Sequence, residues 1–256
     1  MPTFKRYTCL TVLAGLAACA ANAQISSINS AVINPRVFND YPGATGTYLN
    51  NYPSSITLGE SGEVAPTGFA NRDVWFFAHN GSAYTMGAGD YFTASMTLNV
   101  TGSTTVDNEA GFYVPNTPSG LPGGDLQFIA DPQSGFLGMF GGSGFWNSGL
   151  TYTAGETVTL GMTYFYDSAN AVNAFRFSVT AGTTTVSSPV QDLPTGDSLI
   201  GGNVGAYFQL QGMTNSPGSF GQAVFGNITI SAVPEPSTFV LAGLGVGALL
   251  ALRRRK

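Results

Sequence analysis

Residues 91–100 read YFTASMTLNV, in which Phe92, Ala94, Met96, Leu98 and Val100 alternate with Thr93, Ser95, Thr97 and Asn99. Successive side chains of an extended chain point to opposite faces, so this segment has one apolar and one hydroxyl-bearing face. That is the pattern of a strand buried on one side only. The same period of two returns in TVTLGMTYFY (Val158, Leu160, Met162, Tyr164), AFRFSVT (Phe175, Phe177, Val179), GAYFQLQ (Ala206, Phe208, Leu210) and GNITISAV (Ile228, Ile230). SITLG, DVWFFA, GFYV and DLQFIA are shorter runs of the same kind, separated by turn-forming clusters such as HNGS, PNTPSGLPGGD, FGGSG, DSAN and NSPGS. No sustained 3.6-residue apolar period lies between the two ends of the chain. The expectation is an all-β body of about ten or more strands, folded as one two-layer antiparallel β-sandwich of the jelly-roll kind.

The 256-residue chain carries a net charge of −5, unevenly distributed. Lys5, Arg6, Arg253, Arg254, Arg255 and Lys256 lie in the end segments, and the body holds only Arg36, Arg72 and Arg176 as cations and no lysine. Nucleic-acid binding needs clustered Lys or Arg to neutralise phosphates, so the body excludes it. Cys9 and Cys19 are the only cysteines and both lie near the N-terminus, which leaves the body without a disulfide or a cysteine metal site.

Residues 1–23 have a short basic head, an apolar stretch from Leu10 to Ala20, and Ala21-Asn22-Ala23 before Gln24. This is the form of a secretory signal peptide cut by signal peptidase after Ala23. Leu16-Ala17-Ala18-Cys19 offers a competing reading, a lipobox in which Cys19 would be lipidated. At the other end, Phe239 to Leu252 is uncharged and, as a helix, about 21 Å long, short of a roughly 30 Å hydrocarbon core. Ser237, Thr238 and a snorkelling Arg253 extend it to a minimal span. The closing Arg253, Arg254, Arg255 and Lys256 favour a membrane helix over a buried one, with those cations cytoplasmic and the body on the far side.

Before that helix stand Val233-Pro234-Glu235-Pro236-Ser237-Thr238. The two prolines fix φ and remove backbone donors, so the triplet cannot continue the helix and presents an extended segment with Glu235 as its one charge. The motif, the short glycine-containing apolar span and the terminal basic cluster together resemble the PEP-CTERM sorting signal, over residues 233–256. The resemblance implies recognition by an exosortase, a polytopic membrane enzyme that cuts near the Pro-Glu-Pro motif. It also implies delivery to the surface or extracellular matrix of a bacterium with an outer membrane and exopolysaccharide. The body, 24–232, with its succession EAGFYV, DLQFIAD, FGG, YTAGETVTLGMTY, FRFSV and FGNITISAVPEP, resembles the concanavalin-like jelly rolls carried by such proteins.

Signals for catalysis are few. Gly196-Asp197-Ser198-Leu199 spells the GDSL string of a serine-hydrolase family, but the only histidine, His79, lies far upstream and cannot be the downstream base that string needs. The segment reads as a turn before GAYFQLQ. Asp107 and Glu109 on a strand would share a face about 7 Å apart, a spacing compatible with inverting glycosidases. Their setting in TTVDNEAG reads as a solvated turn, and Glu60 and Glu63 in LGESGEV read as loop charges. His79 beside the HNGS turn reads as a hydrogen-bonded structural residue. No cofactor and no metal motif is found, although scattered carboxylates and carbonyls leave calcium open. Among the aromatics Trp75, Tyr84, Trp146 and Tyr152, the pair Trp146-Asn147 in a glycine-rich stretch is the leading candidate for carbohydrate contact, with Trp75 beside it.

The reading is a non-enzymatic exported surface or matrix protein. An exopolysaccharide-binding, lectin-like module is the first alternative and a glycoside-cleaving enzyme the second.

Overall fold

The computed structural model describes residues 25–62, 68–115, 124–142, 144–212 and 218–233. The leader with Ala21, Ala23, Gln24 and Cys19, the acid Glu63, and the sorting segment from Pro234 to Lys256 lie outside these. Among the described residues there are sixteen strands: β1 Ser30–Asn39, β2 Thr45–Asn51, β3 Ser55–Ser61, β4 Ala70–His79, β5 Ser82–Ala83, β6 Phe92–Gly102, β7 Asp107–Val114, β8 Leu126–Asp131, β9 Phe136–Gly141, β10 Gly144–Asn147, β11 Thr157–Asp167, β12 Val172–Ala181, β13 Thr184–Ser187, β14 Gln191–Asp192, β15 Gly205–Gln211 and β16 Phe220–Ala232.

They form two antiparallel sheets. Sheet A has the order β1-β4-β15-β7-β8-β9-β10, with β5 on β4. Sheet B has the order β13-β12-β11-β6-β16-β3-β2, with β14 on β12. The chain crosses between sheets repeatedly, at β3 to β4, β6 to β7 and β15 to β16 among others, so each sheet pairs strands distant in sequence. The expected two-layer sandwich is what forms.

Alternation decides how the sheets face each other. Strand β6 is buried at Phe92, Ala94, Met96, Leu98 and Val100 and more open at the residues between. Strands β11 and β12 turn Leu160, Met162, Phe175, Phe177 and Val179 into the same interior. From sheet A, Trp75, Phe77, Phe112, Phe128 and Phe208 meet them, and the rings of Trp75 and Phe225 and of Phe128 and Phe177 cross at 5.9 and 5.2 Å. Burying this apolar surface is the main stabilising term in a body without disulfides.

The outer face of sheet B carries cross-strand rows of hydroxyls, such as Thr97–Thr159–Thr180–Thr185. Sheet A differs, because β8 is buried at every position and β15 at all but its last. A second, smaller apolar cluster of Val74, Phe76, Tyr113, Ile129 and Tyr207 covers part of its outer face.

Both ends of the body are tied to one pole of the sandwich. Asn29 N–H donates to Ala78 O at 3.1 Å and Val233 N–H to Tyr91 O at 2.9 Å. His79, the last residue of β4, places Nδ1 2.7 Å from Ser27 O, the structural role its setting suggested. Residues 195–196 form a turn ahead of β15, as read for the GDSL string.

Four expectations are corrected. Asp107 and Glu109 lie on β7, because the turn residues of TTVDNEAG are used up at 104–105. Glu60 lies on β3 and is 2% exposed, because it points between the sheets. Trp75 is fully buried in the inter-sheet core and cannot meet a glycan. Trp146 belongs to β10, opposite Met139, and its ring packs inward 6.0 Å from that of Phe128.

Candidate functional site

Two polar assemblies stand out against this apolar frame. The first lies inside the sandwich. Phe38 resumes the pairing that β1 leaves at Asn34, and within this bulge Arg36 takes a φ of 54°. Its side chain turns inward, where Nε donates to Glu60 Oε1 at 2.9 Å and Nη2 to Glu60 Oε2 at 3.1 Å. Asp73 from sheet A joins them through Tyr48. In this cluster the Glu60 side chain is fully buried and that of Arg36 is 21% exposed, and its bonds link the two sheets.

The second assembly lies on the outer face of sheet A and is open. Cross-strand register aligns Phe38, Arg72, Gln209 and Glu109 on neighbouring strands. Asp131, which follows the cross-strand partner of Ala110, continues the row to its own partner Phe136. Six strands at about 4.8 Å spacing make this row roughly 24 Å long. Above it lies a cleft of about 710 Å³ lined by Arg72, Glu109, Gln127, Asp131, Asn147 and Gln209, with Phe69, Phe136, Phe140 and Phe145 on its walls.

The polar floor is built as a network. Arg72 Nε donates to Gln209 Oε1 at 2.6 Å and Nη1 to Asp125 Oδ2 at 3.1 Å. The same guanidinium lies 5.6 and 5.4 Å from the ring centres of Tyr113 and Tyr207, two rings that are themselves 5.7 Å apart and so flank it from one side. Gln209 Nε2 donates to Glu109 Oε1 at 2.8 Å, and Tyr207 Oη donates to Gln127 Oε1 at 3.3 Å. Asp131 accepts from the backbone N–H of Gln133 at 2.8 Å and Ser134 at 3.3 Å and from the Ser134 hydroxyl.

The carboxylates disturb one another. Burial, then the charges of Asp107 and Asp131, push Glu109 up to about 7, against the opposing pull of Arg72. Burial and Asp131 raise Asp107 to about 6. The Tyr113 hydroxyl rises to about 12 through burial and Asp125, and Tyr207 rises well above its ordinary value through burial and Glu109. Titratable groups shifted this way within a cleft mark candidate functional sites.

The walls are apolar and exposed. Phe145 is 63% and Phe140 56% exposed, and Phe145 stacks on Phe136 at 5.6 Å. At the opposite end Phe69 is 57% exposed and packs edge-on against Phe38. Aromatic faces therefore stand at both ends of a polar floor. Of the residues singled out from sequence, Asn147 and Glu109 line this cleft, Asp107 borders it beside Gln211, and Trp146 faces away. Arg72, Gln209, Tyr207, Gln127 and Asp131 were not singled out. Their one signal is an isolated polar residue on the outward-facing positions in and beside DVWFFA, DLQFIA and GAYFQLQ, which becomes a site only when register aligns the strands.

Among the described residues no cluster of three or more His, Cys, Asp or Glu is placed to hold a metal ion, and no helix is long and apolar enough to cross a membrane.

Residues 232–256 match the PEP-CTERM protein-sorting motif, which makes this an exported protein with a membrane-anchored sorting signal for an exosortase-type enzyme. No curated protein matches the chain. Among solved structures, arcelin-5, a lectin-like defence protein from Phaseolus vulgaris, is similar at 10% identity over 80% of this chain and 100% of its own, with a TM-score of 0.45. A family 7 alginate lyase, A1-II′, in complex with product is 13% identical over 73% of this chain and 83% of its own, with a TM-score of 0.42. Lectin UEA-II complexed with galactose is 10% identical over 78% and 98%, with a TM-score of 0.41. Likenesses this distant carry no argument about activity.

Proposed function

We propose that the protein is a surface or extracellular-matrix component, released to its destination through the PEP-CTERM signal, whose sandwich holds matrix polysaccharide in the outer-face cleft without cleaving it. The observation that carries this reading is the floor of fixed amide, carboxylate and guanidinium groups between exposed phenylalanines. Sugar rings offer apolar faces to stack on aromatics and hydroxyls to bond to such groups. A stiff sheet supplies that arrangement before binding, which lowers the ordering cost of the complex.

A second reading, glycoside cleavage, is favoured by the place of Glu109 in the cleft, where burial and Asp107 push its carboxyl up to about 7, the range in which a general acid works best.

The test is retention of host exopolysaccharide by the exported protein, with reducing ends measured in the same samples. Retention that falls at least tenfold in a Phe140→Ala/Phe145→Ala variant, with no reducing ends released, supports binding. No retention by the unaltered protein rejects it. Reducing ends that appear with the unaltered protein and vanish with Glu109→Gln would replace it by the second reading.

A further inference from the structure

We propose that the cleft selects a saccharide carrying free ammonium groups, a polymer of deacetylated amino sugars, with an ammonium seated between Glu109 and Asp131. The inference rests on the polysaccharide-binding reading and names its ligand class.

Charge in the cleft is one-sided. Arg72 is the only cation among the described lining residues, and it is already committed to Asp125, Gln209 and the two tyrosine rings. Its Nε and Nη1 are both taken by these partners. A polyuronate would therefore enter beside Glu109, Asp131 and the neighbouring Asp107 with only the already paired Arg72 to offset three acids, a like-charge contact that disfavours it.

The carboxylates are placed for the opposite partner. Asp131 is held as a fixed acceptor by two backbone N–H groups and a hydroxyl, which orient its charge without neutralising it. Asp107, opposite Gln211 on the next rung, interacts with Asp131 and adds a further acid beside the cleft. Burial first and the neighbouring carboxylates second raise Glu109 and Asp107, and an added cation would offset the second of these. An ammonium on a sugar ring brings three donors and can reach these acids in turn. The stacked Phe136–Phe145 wall beside Asp131 favours a ring-borne ammonium over a flexible lysine chain.

The test is calorimetric titration of the exported protein at pH 6 with tetramers of glucosamine, N-acetylglucosamine and guluronate, and with tetralysine. Glucosamine tetramer should bind at least tenfold more tightly than its acetylated form, and guluronate should not bind. Protonated Glu109 should lose its proton on binding, so the measured heat should change with the ionisation enthalpy of the buffer. Glu109→Gln should remove both the preference and the proton release, while Asp167→Asn, the same charge change at the β11–β12 turn, should leave them intact.

Equal or tighter binding of the acetylated or guluronate tetramer overturns the ligand class and leaves polysaccharide binding standing. Tetralysine binding as tightly as glucosamine tetramer overturns the saccharide assignment. A preference that falls equally in Asp167→Asn and Glu109→Gln is bulk attraction to an acidic protein, and overturns the site. Failure of every saccharide, host polysaccharide included, removes the underlying reading itself.

Discussion

Asp73 and Glu60 reach into the sandwich from opposite sheets and share one hydroxyl, that of Tyr48, which lies 3.0 Å from Asp73 Oδ1 and 2.9 Å from Glu60 Oε1. A phenol has a single proton to donate, so if both contacts are hydrogen bonds one carboxyl must itself be protonated. Asp73 is the group pushed toward holding that proton. Burial first and the Glu60 charge second push it up to about 7, against the lowering effect of the Arg36 N–H.

Stability should accordingly decline as pH rises from about 4 to about 7. A carboxyl raised in the folded state binds its proton more tightly there than in the unfolded chain, so its contribution is full below the unfolded value and lost through the folded one. Glu109 at about 7 and Asp107 at about 6 act in the same direction. Urea midpoints at pH 5 and pH 8 should differ in favour of pH 5. Asp73→Asn should shrink that difference by on the order of 2–4 kcal/mol, and an unchanged difference would show that Asp73 ionises normally.

Removing the cation should be costly at neutral pH. Arg36→Met strands the Glu60 carboxylate, whose side chain is fully buried, and should destabilise the fold by about 3 kcal/mol. Glu60→Gln in the same background should restore part of the loss, and thermal unfolding of the two variants decides this.

Gly111 and Gly205 should not tolerate alanine. A Cβ on Gly111 would lie 1.6 Å from Phe128 O and one on Gly205 1.8 Å from Trp75 O, backbone atoms of neighbouring strands that cannot step aside alone. Each substitution should cost about 3 kcal/mol or force the strands apart, visible as a lowered melting temperature and loss of near-ultraviolet ellipticity.

Trp146→Ala should act on stability and not on recognition. Its ring fills space against Phe128, so truncation should cost about 2 kcal/mol. Affinity for polysaccharide should stay within about twofold at temperatures where the variant is folded. A selective loss of binding would return the ring to the site.

Intact mass of the protein from host membranes and from the surrounding matrix should separate two species. The matrix form should lack both the leader and everything beyond about Pro236, and a matrix form that retains Arg253 to Lys256 would contradict sorting by cleavage.

Legibility in the sequence followed solvent exposure. Strands β6, β11 and β12 have one wet face, and their alternation announces both strand and orientation. Strands β4, β8 and β15 are covered on both faces, so DVWFFA, DLQFIA and GAYFQLQ show that a strand exists without showing what its polar positions do. Arg72, Gln209 and Glu109 are separated by 137 and 100 residues, and only tertiary register brings them into one row. Arg36 was hidden by a bulge that no local pattern marks. Glu60 resembled a loop charge because Glu and Gly surround it, yet its alternation with Leu58 and Ile56 placed it inside.

The tie between Val233 and Tyr91 fixes the point at which the chain leaves the sandwich for the sorting segment. That bond sits at the pole where β4 ends and β6 begins. Arg72, Gln209, Glu109 and Asp131 sit near the other pole, beside the β6–β7 turn, which at about 3.3 Å per residue is roughly 20–30 Å away. The tether and the cleft thus occupy opposite ends of one rigid lever. A body tethered beyond Val233 would present the cleft away from its tether, and releasing it would change how far the protein can travel without changing what it presents.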